Sequence, residues 1–166
     1  MMRRTVLISI AILFGFFVLL WAQQQAEAPS VLDNSEQAGA TLSTGKATIL
    51  VELAITGEER ILGLGGREAL APNTGMLFVF PHPALQGIWM KGMKFPLDVL
   101  WLEEERADME RGKTRLRVVD VKENIALETF PKVFFPKAKA SYVLEMNGGS
   151  AKSIGISVGS VLTLQK

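Results

Sequence analysis

Residues 75–102, GMLFVFPHPALQGIWMKGMKFPLDVLWL, decide how the rest of the chain is read. Two short apolar runs, 76–80 and 97–102, flank a segment rich in turn formers, with a step from apolar to cationic at Trp89-Met90-Lys91. Runs this short and this apolar read as strands buried on both faces. The stretch holds two of the three Trp, three of the seven Met and the single His of the chain. One carboxylate, Asp98, interrupts the second run.

Upstream, residues 48–53 are rich in β-branched side chains and read as a strand. Gly57-Glu58-Glu59-Arg60 opens a helical turn with acids at its start, and Gly63, Gly65 and Gly66 end it. Pro72-Asn73-Thr74-Gly75 is a turn leading into the opening stretch. Downstream, residues 103–115, EEERADMERGKTR, carry five acids and four bases, the balance expected of a solvated hairpin arm. Residues 116–121 return as a strand that 125–127 extend.

Residues 130–140, FPKVFFPKAKA, read as an irregular loop packing its aromatic rings into the core. The other reading is an apolar and basic patch against lipid headgroups, which the two prolines disfavour because they prevent an amphipathic helix. Residues 142–146 form another strand. Ser150 is placed to cap a short helical turn over 151–154 closed by Gly155, and 161–164 form a last strand. Six to seven short strands with one or two brief helices, and no α/β alternation, predict a mainly β fold. The expected packing is a small antiparallel barrel or sandwich.

Ahead of this domain, residues 1–22 begin with Arg3-Arg4 and run uncharged and apolar from 6 to 22. Seventeen residues rising 1.5 Å each span roughly 26 Å, near the lower limit for a bilayer core. The two arginines hold the start in the cytoplasm and send the following chain across. A signal peptide has a shorter core, of about 7–15 apolar residues. The best cleavage triplet, Ala26-Glu27-Ala28, would also leave Pro29 first. A retained transmembrane anchor is therefore favoured over a cleaved signal peptide. Residues 23–45, rich in Gln, Ala, Ser and Gly, read as a flexible linker, leaving 46–166 as one β-rich domain outside the cytoplasm.

Charge and cysteine content exclude several functions. Without residues 1–28, which contain Arg3, Arg4 and Glu27, the 18 Lys+Arg fall to 16 and the 17 Asp+Glu to 16. A neutral domain has no global field to hold nucleic acid. The absence of Cys removes disulfides, thiolate metal sites and a cysteine nucleophile. The single His82 removes sites needing two imidazoles, so no metal is expected. No cofactor is expected either, because GLGGR lacks the spacing of a phosphate loop.

The segments GLGGREAL (63–70), GMLFVFP (75–81), WMKGMKFPLDVLWL (89–102) and YVLEMNGG (142–149), in that order, closely resemble the family catalogued as domain of unknown function 192, DUF192. The resemblance covers roughly residues 46–166. It implies a compact β-rich domain, frequently exported or membrane-tethered, and no assigned activity. Two departures stand out. Members usually carry Asn-Thr after Trp-Met-Lys, where this chain has Gly92-Met93, and Met after the first Gly-Leu, where it has Gly65.

Asp98 is the sharpest candidate for chemistry. In an extended strand it shares a face with Leu100 and Leu102, opposite Leu97, Val99 and Trp101. A buried carboxylate needs a partner, and Arg67, Lys91 and Lys94 are the nearby cations. It reads either as an acid, base or ligand-orienting group, or as an acceptor of backbone N–H bonds fixing the turn after Pro96. Glu145 repeats the pattern beside Val143. Were both carboxyls to face one cavity, they would form a catalytic pair of the type used on glycosidic bonds. Trp89 beside Lys91 reads as a flat binding platform with a cation.

The leading expectation is a non-enzymatic, membrane-tethered binding module. It would take a small-molecule, glycan or protein partner in the envelope through a cleft lined by Trp89, Lys91, Asp98 and Arg67. The alternatives are a hydrolase of envelope glycans using Asp98 with Glu145, and a structural accessory protein.

Overall fold

Runs of β-branched and apolar residues become strands, and among the described residues seven strands close into a barrel. The computed structural model describes residues 39–105 and 112–166. The anchor expected over 1–22 and most of the expected linker lie outside them. No helix among the described residues is long and apolar enough to cross a membrane. The strands are β1 (Ala40–Ser43), β2 (Thr48–Ala54), β3 (Thr74–Ala84), β4 (Ile88–Trp89), β5 (Leu97–Glu104), β6 (Lys113–Ile125), β7 (Val133–Phe134), β8 (Ala140–Asn147) and β9 (Val161–Gln165). Two short helices, α1 (Gly57–Leu62) and α2 (Ser150–Ser153), lie in the connections.

Around the barrel the order is β1-β2-β3-β8-β5-β6-β9, and β9 pairs back onto β1. The expectation of a purely antiparallel sheet is corrected at one seam. Leu50 to Ala54 of β2 run parallel to Thr74 to Phe78 of β3. A parallel pair needs a crossover, and α1 with the glycine-rich loop supplies it. Thr56 starts α1 with a reciprocal capping box, its side chain accepting from the Glu59 N–H while the Glu59 carboxylate accepts from the Thr56 N–H. A second correction concerns β1. Ala40–Ser43 falls within the stretch expected to be linker, yet it closes the barrel between β2 and β9.

Side chains alternate across this sheet into two separate cores. Leu42, Val51, Leu77, Leu100, Leu144 and Leu162 fill the barrel interior. On the outer face, Met76, Phe78, Leu97, Val99, Trp101 and Val143 join a second cluster with Leu64, Ile88 and Met90 from the connections. β5 is therefore buried on both faces from Leu97 to Leu102, which is why its sequence shows no polar alternation. The indole N–H of Trp101 donates to the carbonyl of Gln86 at 2.7 Å, fixing the loop before β4.

Residues 130–140 depart from expectation. Phe130 and Phe135 remain 46% and 57% exposed instead of entering the core. Phe134, in the two-stranded ribbon β4–β7, packs against the outer cluster. Buried Asp120 ties this loop to β6 by accepting from the N–H groups of Val121 and Lys137, each at 3.0 Å. The N-cap of α2 is Gly149, in the left-handed region at φ 84, and Ser150 makes no capping bond.

Candidate functional site

Asp98 points into one end of the barrel and is fully buried. Its Oδ1 accepts from the N–H of Asn124 at 2.7 Å and of Gly149 at 2.9 Å, and its Oδ2 from Ala151 at 2.8 Å. The donors are free because the chain turns away from the ladder at those points. The β5–β6 register slips between Leu97 and Val99, and Asn124 adopts φ 51. Asp98 thus pins β6 and the start of α2 to β5. The cation expected to accompany it is elsewhere.

Arg67 donates two parallel bonds to Glu52, both at 2.6 Å, on the outer face of β2. That contact holds the guanidinium proton more firmly than usual. Lys94 pairs with Glu68. Neither cation reaches Asp98, because Asp98 faces inward and both of them lie outside the sheet.

The same alternation separates the two carboxyls proposed as a catalytic pair. Asp98 is paired with Met146, while Glu145 is paired with Val99 on one side and Met76 on the other. Directly paired residues share a face, so Asp98 projects into the barrel and Glu145 projects out of it. The β-sheet stands between them. A hydrolytic site built from Asp98 with Glu145 is excluded by the register.

Glu145 instead forms the floor of a cleft of about 360 Å³ on the outer face. Phe78 and Phe80 of β3 and Leu64 and Met93 of the connecting loops are among its walls, and Ile61, Leu62 and Trp89 lie at its exposed margin. Glu145 is only 5% exposed. No hydrogen-bond donor or cation among the described residues reaches its carboxyl. Burial alone pushes its pKa up to about 8, so at neutral pH the group is mainly an uncharged acid.

Two cations line the cleft without approaching Glu145. Arg60 donates to the carbonyls of Ile55 and Val79 and lies 5.1 Å from the Phe80 ring centre. Lys91 Nζ lies 5.9 Å from the Trp89 ring. The structure therefore unites Trp89 and Lys91 in one cleft and adds Glu145 to them. It leaves Asp98 inside the barrel and Arg67 in its bond to Glu52. The depth of Glu145 was not visible in the sequence, since spacing gives a residue's face but not which layer covers that face.

Comparison with solved structures finds the same fold in several chains, including the following two. A protein of unknown function from Novosphingobium aromaticivorans DSM 12444 is 28% identical, with a TM-score of 0.63 over 83% of this chain and 93% of its own. A candidate transcription regulator from Sinorhizobium meliloti 1021 is also 28% identical, with a TM-score of 0.62 over 75% of this chain and 90% of its own. Among curated proteins, none matches at a significant level. The sequence model of DUF192, described as an uncharacterized ACR, matches residues 40–164, from the first residue of β1 into β9, and the chain belongs to the DUF192 family.

Proposed function

We propose that this domain is a non-enzymatic binding module whose ligand is a small, largely apolar molecule carrying one hydrogen-bond acceptor. The acceptor meets the Glu145 carboxylic acid, and the apolar body lies against Phe78, Phe80 and Trp89. One observation carries this reading: a buried acid with no partner of its own opens into an apolar cleft. A carboxylic acid facing the cleft with no protein partner is free to donate to a ligand acceptor in place of water. The cleft volume of about 360 Å³ falls within the range of small-molecule sites and supports this reading. The apolar, uncharged run over residues 6–22 behind Arg3-Arg4 supports a location outside the cytoplasm, held at the membrane by that segment.

The test is a screen of residues 39–166 at pH 6.5 with matched apolar amides, ketones and amines, read by calorimetry. Amides and ketones are expected to bind and to weaken as the pH rises past about 8, where Glu145 ionises. Glu145→Leu, which keeps the cleft apolar, is expected to weaken them about tenfold through loss of one hydrogen bond. Tightest binding by amines, or equal binding by Glu145→Leu, would overturn the assignment.

A further inference from the structure

The ribbon β4–β7 presents a second surface, which shares Trp89 and Lys91 with the margin of the cleft but does not involve Glu145. Its register places Ile88 opposite Phe134 and Trp89 opposite Val133. Ile88 and Phe134 turn inward onto the outer core, so Trp89 and Val133 share the outward face. Phe135 lies against the same end of the ribbon, since a Cβ at Gly87 would come within 2.8 Å of both its ring and the Val133 side chain. Trp89, Val133, Phe135, Phe130 and Leu85 are each between 37% and 57% exposed.

The segments that carry these side chains are basic, although Glu128 stands two residues before Phe130 and the buried Asp120 carboxylate meets the Lys137 N–H. Residues 81–95 and 130–144 contain no Asp or Glu, and contain Lys91, Lys94, Lys132, Lys137 and Lys139. The two segments adjoin through the ribbon and through the pairing of Ala84 with Ala140. Lys94 is taken by Glu68. No carboxylate among the described residues pairs with the other four, and Lys91 and Lys132 lie over Trp89 and Phe134. In a chain neutral beyond residue 28, this is a local concentration of cations among exposed apolar side chains.

We propose that this face docks on an anionic lipid bilayer. Aromatic side chains seat at the headgroup level and lysines attract anionic lipid, while aliphatic Leu85 and Val133 gain from hydrocarbon and offer nothing to a nucleic-acid base. Seventeen residues separate the apolar run ending at residue 22 from β1, so a bilayer that took up that run would be a membrane surface available to this domain.

Residues 39–166 suit the test because the barrel closes on itself within them and the leader is absent. Vesicles of phosphatidylglycerol with phosphatidylcholine are compared with phosphatidylcholine alone by sedimentation. Trp89 emission is followed in parallel, Trp101 being fully buried. Binding to the anionic vesicles, with a blue shift, is expected. Replacing Lys132, Lys137 and Lys139 with Gln is expected to weaken it about 100-fold, roughly fivefold per lysine. Phe130→Ser with Phe135→Ser weakens it further at every salt concentration. Glu145→Gln leaves it unchanged, which separates this surface from the cleft. Absence of vesicle binding, full binding by both sets of variants, or tighter binding to single-stranded DNA than to the vesicles would overturn the proposal.

Discussion

Asp98 and Glu145 lie on adjacent strands, both nearly out of water, and differ in what faces them. Three backbone N–H groups satisfy Asp98. Asp98→Asn would turn an amide NH₂ toward at least one of these donors, with an expected loss of about 3 kcal/mol in denaturant unfolding. Ligand affinity at the cleft should not change, because Asp98 is on the other side of the sheet. Glu145 has the opposite signature. Its folded pKa, about 8, stands above the ordinary 4.5, so the folded state holds the proton more tightly than the unfolded chain. Stability from this group is complete below pH 4.5 and declines as the pH rises through 8. Glu145→Gln should remove that decline and, near pH 9, exceed the parent by on the order of 3 kcal/mol. A parallel fall in both proteins would contradict it. At this scale the sequence revealed the faces, since period-two spacing correctly set Asp98 with Leu100 and Glu145 with Val143. It could not give the partners, because Glu52 and the donors to Asp98 come from strands and turns distant in the chain.

At the scale of elements, the strands were legible wherever β-branched or apolar runs met turn residues, as in β2, β3, β5 and β8. β1 was not, because Ala-Thr-Leu-Ser has one bulky apolar side chain and sits in a stretch with linker composition. The outward rings of 130–140 were misread for a related reason: aromatic content says that a segment is apolar, not that a layer is available to cover it. The parallel β2–β3 seam depends on α1 turning the chain back. Thr56→Ala removes half of its capping box and should cost about 1 kcal/mol by thermal or denaturant unfolding. Gly75 tests the seam's other strand, where β3 meets β8. A Cβ there would come within 2.7 Å of the Glu145 carbonyl oxygen, and backbone cannot swing aside as a side chain can. Gly75→Ala should destabilise the domain by about 2–3 kcal/mol. Little change in the unfolding midpoint would show that the two strands are less tightly held than this.

At the scale of the molecule, the described residues form two apolar layers sharing one sheet: the barrel interior, and an outer shell built by the glycine-rich loop, the segment before β5 and the β4–β7 ribbon. Closure of the first layer requires β1, so a chain starting at residue 46 leaves β2 and β9 with open edges. It should aggregate or unfold where residues 39–166 stay monomeric, a difference read by sedimentation velocity. The second layer explains the cleft, a gap in the shell at whose base Glu145 is left only 5% exposed. The most direct test of that account is a carbon-detected NMR titration of the Glu145 carboxyl in residues 39–166. An uncharged acid buried at the base of the cleft should titrate near pH 8. A midpoint near 4.5, the value of a carboxyl in water, would mean that the floor is wet and the cleft is not the site.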